Sequence, residues 1–373
     1  MKLLFLVSED SYFCSHRLNL AIAAKNKGYQ VAVATCVSHY QQKITEAGIE
    51  LIALKYFHRS SLNPWSELKA LFELLKIYRS FKPDIVHQVA IKPVIYGSLI
   101  AKIIGIKHIV NALGGLGFLF TDANHSPQKK LLKTIVSILL KFIFKFKNSK
   151  IILQNCEDKN TIIELGVSSE NIVTIQGAGV NLIDYPATPI PASPPFIISC
   201  VSRMLKDKGI IELVEAARLL KKENLPPFEI RLYGNIDEKN PSTLSEKELL
   251  AWQQEGCIQW FGHCHHVAAI YQESHIAVLA SYREGLPKSL LEAASCARPI
   301  VTTDVPGCRD VVEHGINGLL VPAKNSKELA KALQYLMQDN LELQKMGSLG
   351  RLKVEKLFSE EMIHAQTLSL YPL

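Results

Sequence analysis

Short apolar runs alternate with amphipathic stretches along nearly the whole of this chain. Runs at 3–7, 30–35, 50–54, 84–89, 108–113, 150–155 and 172–176 have the length and residue types of strands. Between them, stretches such as 18–27, 64–81 and 93–104 space their apolar residues three and four apart, as helices do. This alternation predicts α/β architecture, with parallel sheets covered by helices on both faces. In open sheets of that kind, ligands meet the carboxyl ends of the strands.

The pattern breaks once. Residues 185–195 hold five prolines, which excludes both a helix and a central strand. The alternation then restarts, with strands expected at 196–201, 229–233, 258–261, 275–281, 299–303 and 318–321. The reading is a domain at 1–185, a linker at 186–195 and a second domain at 196–357. Each domain is a Rossmann-like doubly wound unit, and the two are expected to face one another across a deep cleft. A length of 373 residues fits two domains of ~100–200 residues each.

Composition narrows the function classes. With 48% hydrophobic and 21% charged residues the chain is no disordered segment. A net charge of +7 suits an anionic ligand or a membrane surface and gives no reason to expect nucleic acid. Eight cysteines are scattered without a CxxC pair, so neither a disulfide framework nor a zinc site is expected. The group formed by Cys257 and His263 to His266 has no usual ligand spacing and reads as a strand followed by a loop. The first apolar run is too short for a signal peptide and reads as a buried strand, so a cytoplasmic protein is expected.

One predicted helix, 128–147, stands apart. It carries six lysines and no acid; Lys130, Lys133, Lys141 and Lys145 share one side, and most other positions are apolar. The lysines exclude a plain membrane span. Two readings remain open: a cationic amphipathic helix lying on an anionic lipid surface, or a core-packing helix with a solvated lysine edge.

The chemistry concentrates in Glu284-Gly-Leu-Pro-Lys-Ser-Leu-Leu-Glu292. A strand pattern precedes it and a helical pattern follows, so Glu284 falls in a strand-to-helix loop and Glu292 inside the helix. Pro287 fits a first helical position, where its missing N–H costs nothing. Backbone amides around Gly285, Leu286 and Lys288 would form the positive end of that helix, a seat for phosphate. The segment thus sets acceptors for sugar hydroxyls beside donors for a diphosphate. In the same half of the chain, Arg203 and Lys208 bracket another strand-to-helix loop. Fixed cations there would stabilise the charge that a departing nucleoside diphosphate acquires.

Those residues, together with Tyr233-Gly234, Phe261-Gly262, Pro306-Gly-Cys-Arg309 and Asn317-Gly318, resemble the family 4 glycosyltransferases of two-domain GT-B fold, in the branch of capsular-polysaccharide transferases. The first half resembles that branch at Ser15-His-Arg17, Pro83-Asp-Ile-Val-His87, Lys92-Pro93 and Gly114-Gly-Leu-Gly-Phe118. The resemblance implies that Glu284 holds donor-sugar hydroxyls, that Glu292 grips the ribose, and that Arg203 and Lys208 clamp the diphosphate. It places Gly234 and His263, with Gly285 to Pro287, in the donor site. It sets His16, His87, Asn111 and the loop with Gly114, Gly115 and Gly117 along the cleft or acceptor side. A plain turn is the alternative for the glycine loop, a helix-start residue for His16, and a buried helix acid capping a neighbouring loop for Glu292. Two stretches depart from the family pattern. Ser8 to Phe13 replaces a glycine pair in the first loop, and Val110-Asn-Ala-Leu113 stands where many relatives carry a histidine, so no catalytic histidine is assigned.

The resemblance implies a retaining, metal-independent hexosyltransferase that needs no cofactor. It would move a sugar from a nucleotide donor, UDP by family habit, to a lipid-linked saccharide at the inner membrane face. Residues 358–373 would cross back to the first domain. The rival readings are a nucleotide-sugar epimerase, which would turn over donor alone, and a non-catalytic nucleotide-binding protein.

Overall fold

A computed structural model describes residues 1–57, 63–115, 127–192, 194–238 and 240–372, with the side chains of 127–129 excepted. The chain divides into two compact units, one of Met1–Ala178 with Ile363–Leu373 and one of Gly179–Met362.

The first unit contains strands β1 (Lys2–Glu9), β2 (Gln30–Cys36), β3 (Glu50–Ala53), β4 (Ile85–Val89), β5 (His108–Leu113), β6 (Ser149–Leu153) and β7 (Ile172–Thr174). Its helices are α1 (Asp10–His16), α2 (Leu18–Asn26), α3 (Gln41–Glu46), α4 (Pro64–Phe81), α5 (Ile91–Ile104), α6 (Pro127–Ile143) and α7 (Cys156–Glu164). The strands form one parallel sheet in the order β3-β2-β1-β4-β5-β6-β7. Strand β1 shows why a parallel sheet reads as a continuous apolar run. Leu4 and Leu6 join the core beneath α4 to α7, while Leu3, Phe5 and Val7 join the core beneath α1 to α3.

The second unit contains β8 (Phe196–Val201), β9 (Phe228–Tyr233), β10 (Gln259–Trp260), β11 (Ile276–Leu279), β12 (Ile300–Thr303) and β13 (Gly318–Val321). Its helices are α8 (Ile210–Leu220), α9 (Glu246–Gln254), α10 (Val267–Glu273), α11 (Lys288–Ser295), α12 (Cys308–Val311), α13 (Ser326–Gln338) and α14 (Asn340–Leu357), and α15 (Glu360–Leu368) spans the division. Its sheet is parallel in the order β10-β9-β8-β11-β12-β13. Both sheets therefore wind outward in two directions from a switch point, β1/β4 in the first and β8/β11 in the second.

Local signals set several boundaries. Asn63 caps α4 by accepting from the Trp65 amide at 3.0 Å, with Pro64 at the first helical position, and Gly105 closes α5 in the left-handed conformation. Helix α6 ends at Ile143, four residues short of the sequence expectation. The hydrogen bonds after Phe144 tighten into turns, from Lys145 to Phe142 and from Phe146 to Ile143. Residues 8–13 form no loop: β1 runs to Glu9 and α1 starts at Asp10.

The division falls before Gly179 and not at the Pro-rich run. Prolines lack N–H groups, so that run offers carbonyls that other groups must satisfy. Fully buried Arg298 donates to the carbonyls of Thr188 (2.6 Å) and Pro189 (3.1 Å), and Ser295 and Arg351 donate to that of Tyr185. These bonds fix the start of the run to the second unit. Residues Ile363–Leu373 belong to the first unit, where Ile363, Leu368 and Tyr371 enter the core beneath α1 to α3. No helix among the described residues is long and apolar enough to cross a membrane.

At the end of β4, exposed Ala90 has φ 81° and ψ 163°, a region that essentially only glycine occupies and that costs about 1–3 kcal/mol. The substitution Ala90→Gly removes that strain with no loss of buried surface. It should raise the unfolding free energy by about 1 kcal/mol in urea titration, after the extra entropy of an unfolded glycine.

Candidate active site

The loops that leave β8 and β11 emerge side by side at the switch point of the second sheet. They are fastened through their backbones. The carbonyl of Asp207 accepts from the Tyr282 amide at 2.9 Å and from Ser281 Oγ at 3.1 Å. Gly209 has φ 69°, and a Cβ there would stand 2.0 Å from the Ala280 carbonyl oxygen. Gly307, ahead of α12, passes so close to the second loop that a Cβ would lie 2.3 Å from the Gly285 carbonyl oxygen. Only glycine fits such approaches.

This arrangement brings Lys208 to Glu284, and Lys208 Nζ donates to Glu284 Oε1 in a tight ion pair. Their side chains are 20% and 12% exposed, so each charge would be poorly solvated without the other. The buried thiols of Cys200 and Cys308 feel the charges of both Lys208 and Glu284, and burial pushes them up to about 11 and about 12, so both are neutral. Arg203 has a different partner. Its Nη1 donates to Asp237 Oδ2 at 2.6 Å, so the two cations read from sequence as one clamp are held by two separate carboxylates.

Gly234 brings the end of β9 onto the β8 loop. Its φ is 144°, and a Cβ would meet the Ser202 carbonyl oxygen at 1.8 Å. Its own carbonyl accepts from Trp260 Nε1 at 2.9 Å. His263 lies in an exposed turn, edge-on to His265 at a centroid distance of 4.6 Å. Leu286 and Pro287 are buried, and Pro287 is the residue before α11 and not its first helical residue.

Glu292 lies on α11 and is buried. It accepts from the Tyr185 hydroxyl at 2.9 Å, and Lys288 Nζ stands 3.7 Å away. Burial raises its pKa above the ordinary carboxylate value, against the opposing pull of Lys288 and Tyr185. A folded-state pKa above the unfolded one means that the folded protein loses stability as pH rises through that interval. Glu292→Gln keeps an acceptor for Tyr185 and removes the buried charge. The variant should match the wild type in unfolding free energy below pH 4.5 and exceed it increasingly as pH rises.

In the first unit the structure departs from three expectations. His87 is fully buried in β4, stacked on Phe5, with Nδ1 2.6 Å from the Tyr371 hydroxyl. Burial, and then the charge of Arg17, hold it well below the usual imidazole range, so it is a neutral core residue and not a cleft group. Asn111 is also fully buried. It accepts from Ser98 Oγ at 3.1 Å and donates to Ser149 Oγ at 2.9 Å, knitting α5, β5 and β6 together. His16 is the last residue of α1 and not a helix start. It stacks on Tyr12 at 4.2 Å with Nδ1 2.7 Å from Ser15 Oγ. Gly114 and Gly115 follow β5, with Gly115 at φ 116° and the Tyr12 hydroxyl 2.9 Å from where a Gly114 Cβ would be. Gly117 lies outside the described residues.

Two partners of the site escaped the sequence reading. Asp237 sits in a polar loop with no distinctive spacing, and Tyr185 reads as the start of a linker, 107 residues from the acid it bonds.

Two parallel doubly wound units of this kind make a GT-B-type architecture. Residues 186–353 match the family profile of glycosyl transferases group 1, and residues 2–155 match that of glycosyl transferase 4-like proteins. The chain belongs to the family 4 type of glycosyltransferases. It is 29% identical over 388 aligned residues to the N,N'-diacetylbacillosaminyl-diphospho-undecaprenol alpha-1,3-N-acetylgalactosaminyltransferase of Campylobacter jejuni, covering 100% of this chain and 98% of that one. In fold it resembles Anabaena Alr3699/HepE in complex with UDP and glucose (TM-score 0.77, 18% identity, 100% of both chains). It also resembles sucrose-phosphate synthase from Thermosynechococcus elongatus (TM-score 0.81, 19% identity, 100% of this chain and 98% of that one).

Proposed function

We propose that this glycosyltransferase takes a sugar from a UDP-linked donor and passes it, with retention and without a bound metal, to a lipid-linked saccharide at the inner face of the cell membrane. The observation that carries the donor half is the Lys208–Glu284 pair at the β8/β11 switch point. An unliganded site must not leave either charge unpaired. When donor enters, a phosphate oxygen replaces the carboxylate on Lys208, and Glu284 turns to the sugar hydroxyls. As the bond between the sugar and the diphosphate breaks, negative charge grows on the diphosphate. Lys208, with Arg203 swung from Asp237, meets that charge where a metal would otherwise stand. The acceptor hydroxyl attacks on the face the diphosphate leaves, and a diphosphate oxygen takes its proton. Glu292 holds the ribose in place of Tyr185.

UDP is the nucleotide bound by the Anabaena neighbour, and the Campylobacter relative acts on a diphospho-undecaprenol acceptor. Helix α6 supports the membrane location. Val136, Leu140 and Ile143 enter the core, while Leu131, Ile135, Ile138 and Phe142 are exposed on the opposite face beside exposed Lys130, Lys141 and Lys145. The buried face fits the core-packing reading of this helix, and the exposed face supports the lipid-surface reading.

Single Lys208→Ala and Glu284→Ala variants should each lower kcat by about 10²–10³ in a transfer assay, and the double variant should lose much less than the product of the two. Conversion of the donor sugar with no acceptor present would overturn the reading in favour of an epimerase. Replacing Lys133, Lys141 and Lys145 together by Glu should weaken sedimentation with anionic vesicles; unchanged binding would remove α6 from the proposal.

A further inference from the structure

Helix α4 presents an outward stripe as unusual as that of α6. Its inner face buries Ala70, Leu74, Tyr78 and Phe81. Its outer face exposes Trp65, Leu68 and Phe72, with Trp65 75% and Phe72 62% exposed, together with Lys69 among them and Lys76 and Arg79 in the turns that follow. Both acids of the helix are turned away and engaged. Glu67 pairs with Lys92 and accepts from the Tyr96 hydroxyl, and Glu73 accepts from the amides of Lys55 and Tyr56. The exposed face therefore carries large apolar groups and cations and no carboxylate.

Helix α4 packs on α5, and α5 packs on α6. All three bury residues in the same core cluster on one side of the first sheet. Their outer faces consequently point the same way, and α5 adds exposed Lys102 and Ile103 to that surface. Scattered exposed apolar residues are ordinary; a set on adjacent helices, ringed by charges of one sign, marks a contact surface. A second copy of this chain would bring cations against cations. A bilayer with anionic headgroups supplies the missing negative charge and an apolar layer at the depth such side chains reach.

We propose that the outer face of α4 is a second lipid-contacting element, with Trp65, Leu68 and Phe72 entering the acyl boundary of an anionic bilayer and Lys69, Lys76 and Arg79 among its phosphates. This inference rests on the reading that the chain works at a membrane, and it commits a different helix from the one that carries that reading.

The test uses the full chain with vesicles of phosphatidylglycerol, acyl-brominated or not, and with phosphatidylcholine vesicles as the uncharged control. Brominated phosphatidylglycerol should quench tryptophan emission in the wild type, and Trp65→Phe should abolish that quenching, since Trp252 and Trp260 lie in the other unit. Trp65→Ser combined with Phe72→Ser should weaken partitioning by roughly tenfold, from the apolar area two half-inserted rings bury. Lys69→Glu and Lys76→Glu should each weaken it by roughly fivefold or more. All four positions are exposed, so melting temperatures should not move. If the α6 triple variant loses binding while the α4 variants keep it and Trp65 is not quenched, the α4 inference is wrong and the α6 reading stands. If the α4 variants lose binding and the α6 variant keeps it, α4 alone is the lipid contact. A wild type that ignores phosphatidylglycerol vesicles sinks both. Loss of self-association by Trp65→Ser in sedimentation velocity, with lipid binding intact, would assign the face to a second copy and overturn the proposal.

Discussion

A lysine and a glutamate, both largely withdrawn from water, neutralise one another where the second sheet changes direction. Removing either alone leaves the other charge stranded in a poorly solvated site, so the two stand or fall together. Their meeting depends on backbone geometry more than on the side chains. Lys208 ends a short turn that Gly209 lets lie against the end of β11, and the loop bearing Glu284 rests on Gly307. A methyl group at either glycine would collide with a carbonyl and push the loops apart.

Much of the fold was legible because parallel sheets write themselves plainly in sequence. Strands covered on both faces are short apolar runs, and crossovers between them need room for helices. The boundaries of β8, β13 and α4 match the expected residues for that reason. The loops at the switch point were legible too, since a strand pattern followed by Gly-Leu-Pro and a helix fixes which residues must turn there.

What stayed hidden depends on residues distant in sequence. His87 looks like a strand-end group until Tyr371, 284 positions away, covers it. Asn111 looks like an available amide until Ser98 and Ser149 take up its hydrogen-bonding capacity from neighbouring elements. Prolines argue against helix and strand in 186–195, yet they say nothing of a buried arginine at 298 that gathers the bare carbonyls at the start of the run. Arg203 reads as half of a clamp because nothing local announces Asp237. In each case the deciding partner comes from another element, and no periodicity of three, four or two encodes it.

The tight glycine contacts at the second sheet also limit how such a site can change. With Gly209, Gly234 and Gly307 each pressed against a neighbouring main-chain oxygen, the course of the polypeptide around the ion pair cannot be re-routed by small steps. A descendant of this chain that accepts a different hexose would have to keep that path and swap the groups projecting from it. Divergence in this pocket should therefore appear as altered side chains on an unaltered trace.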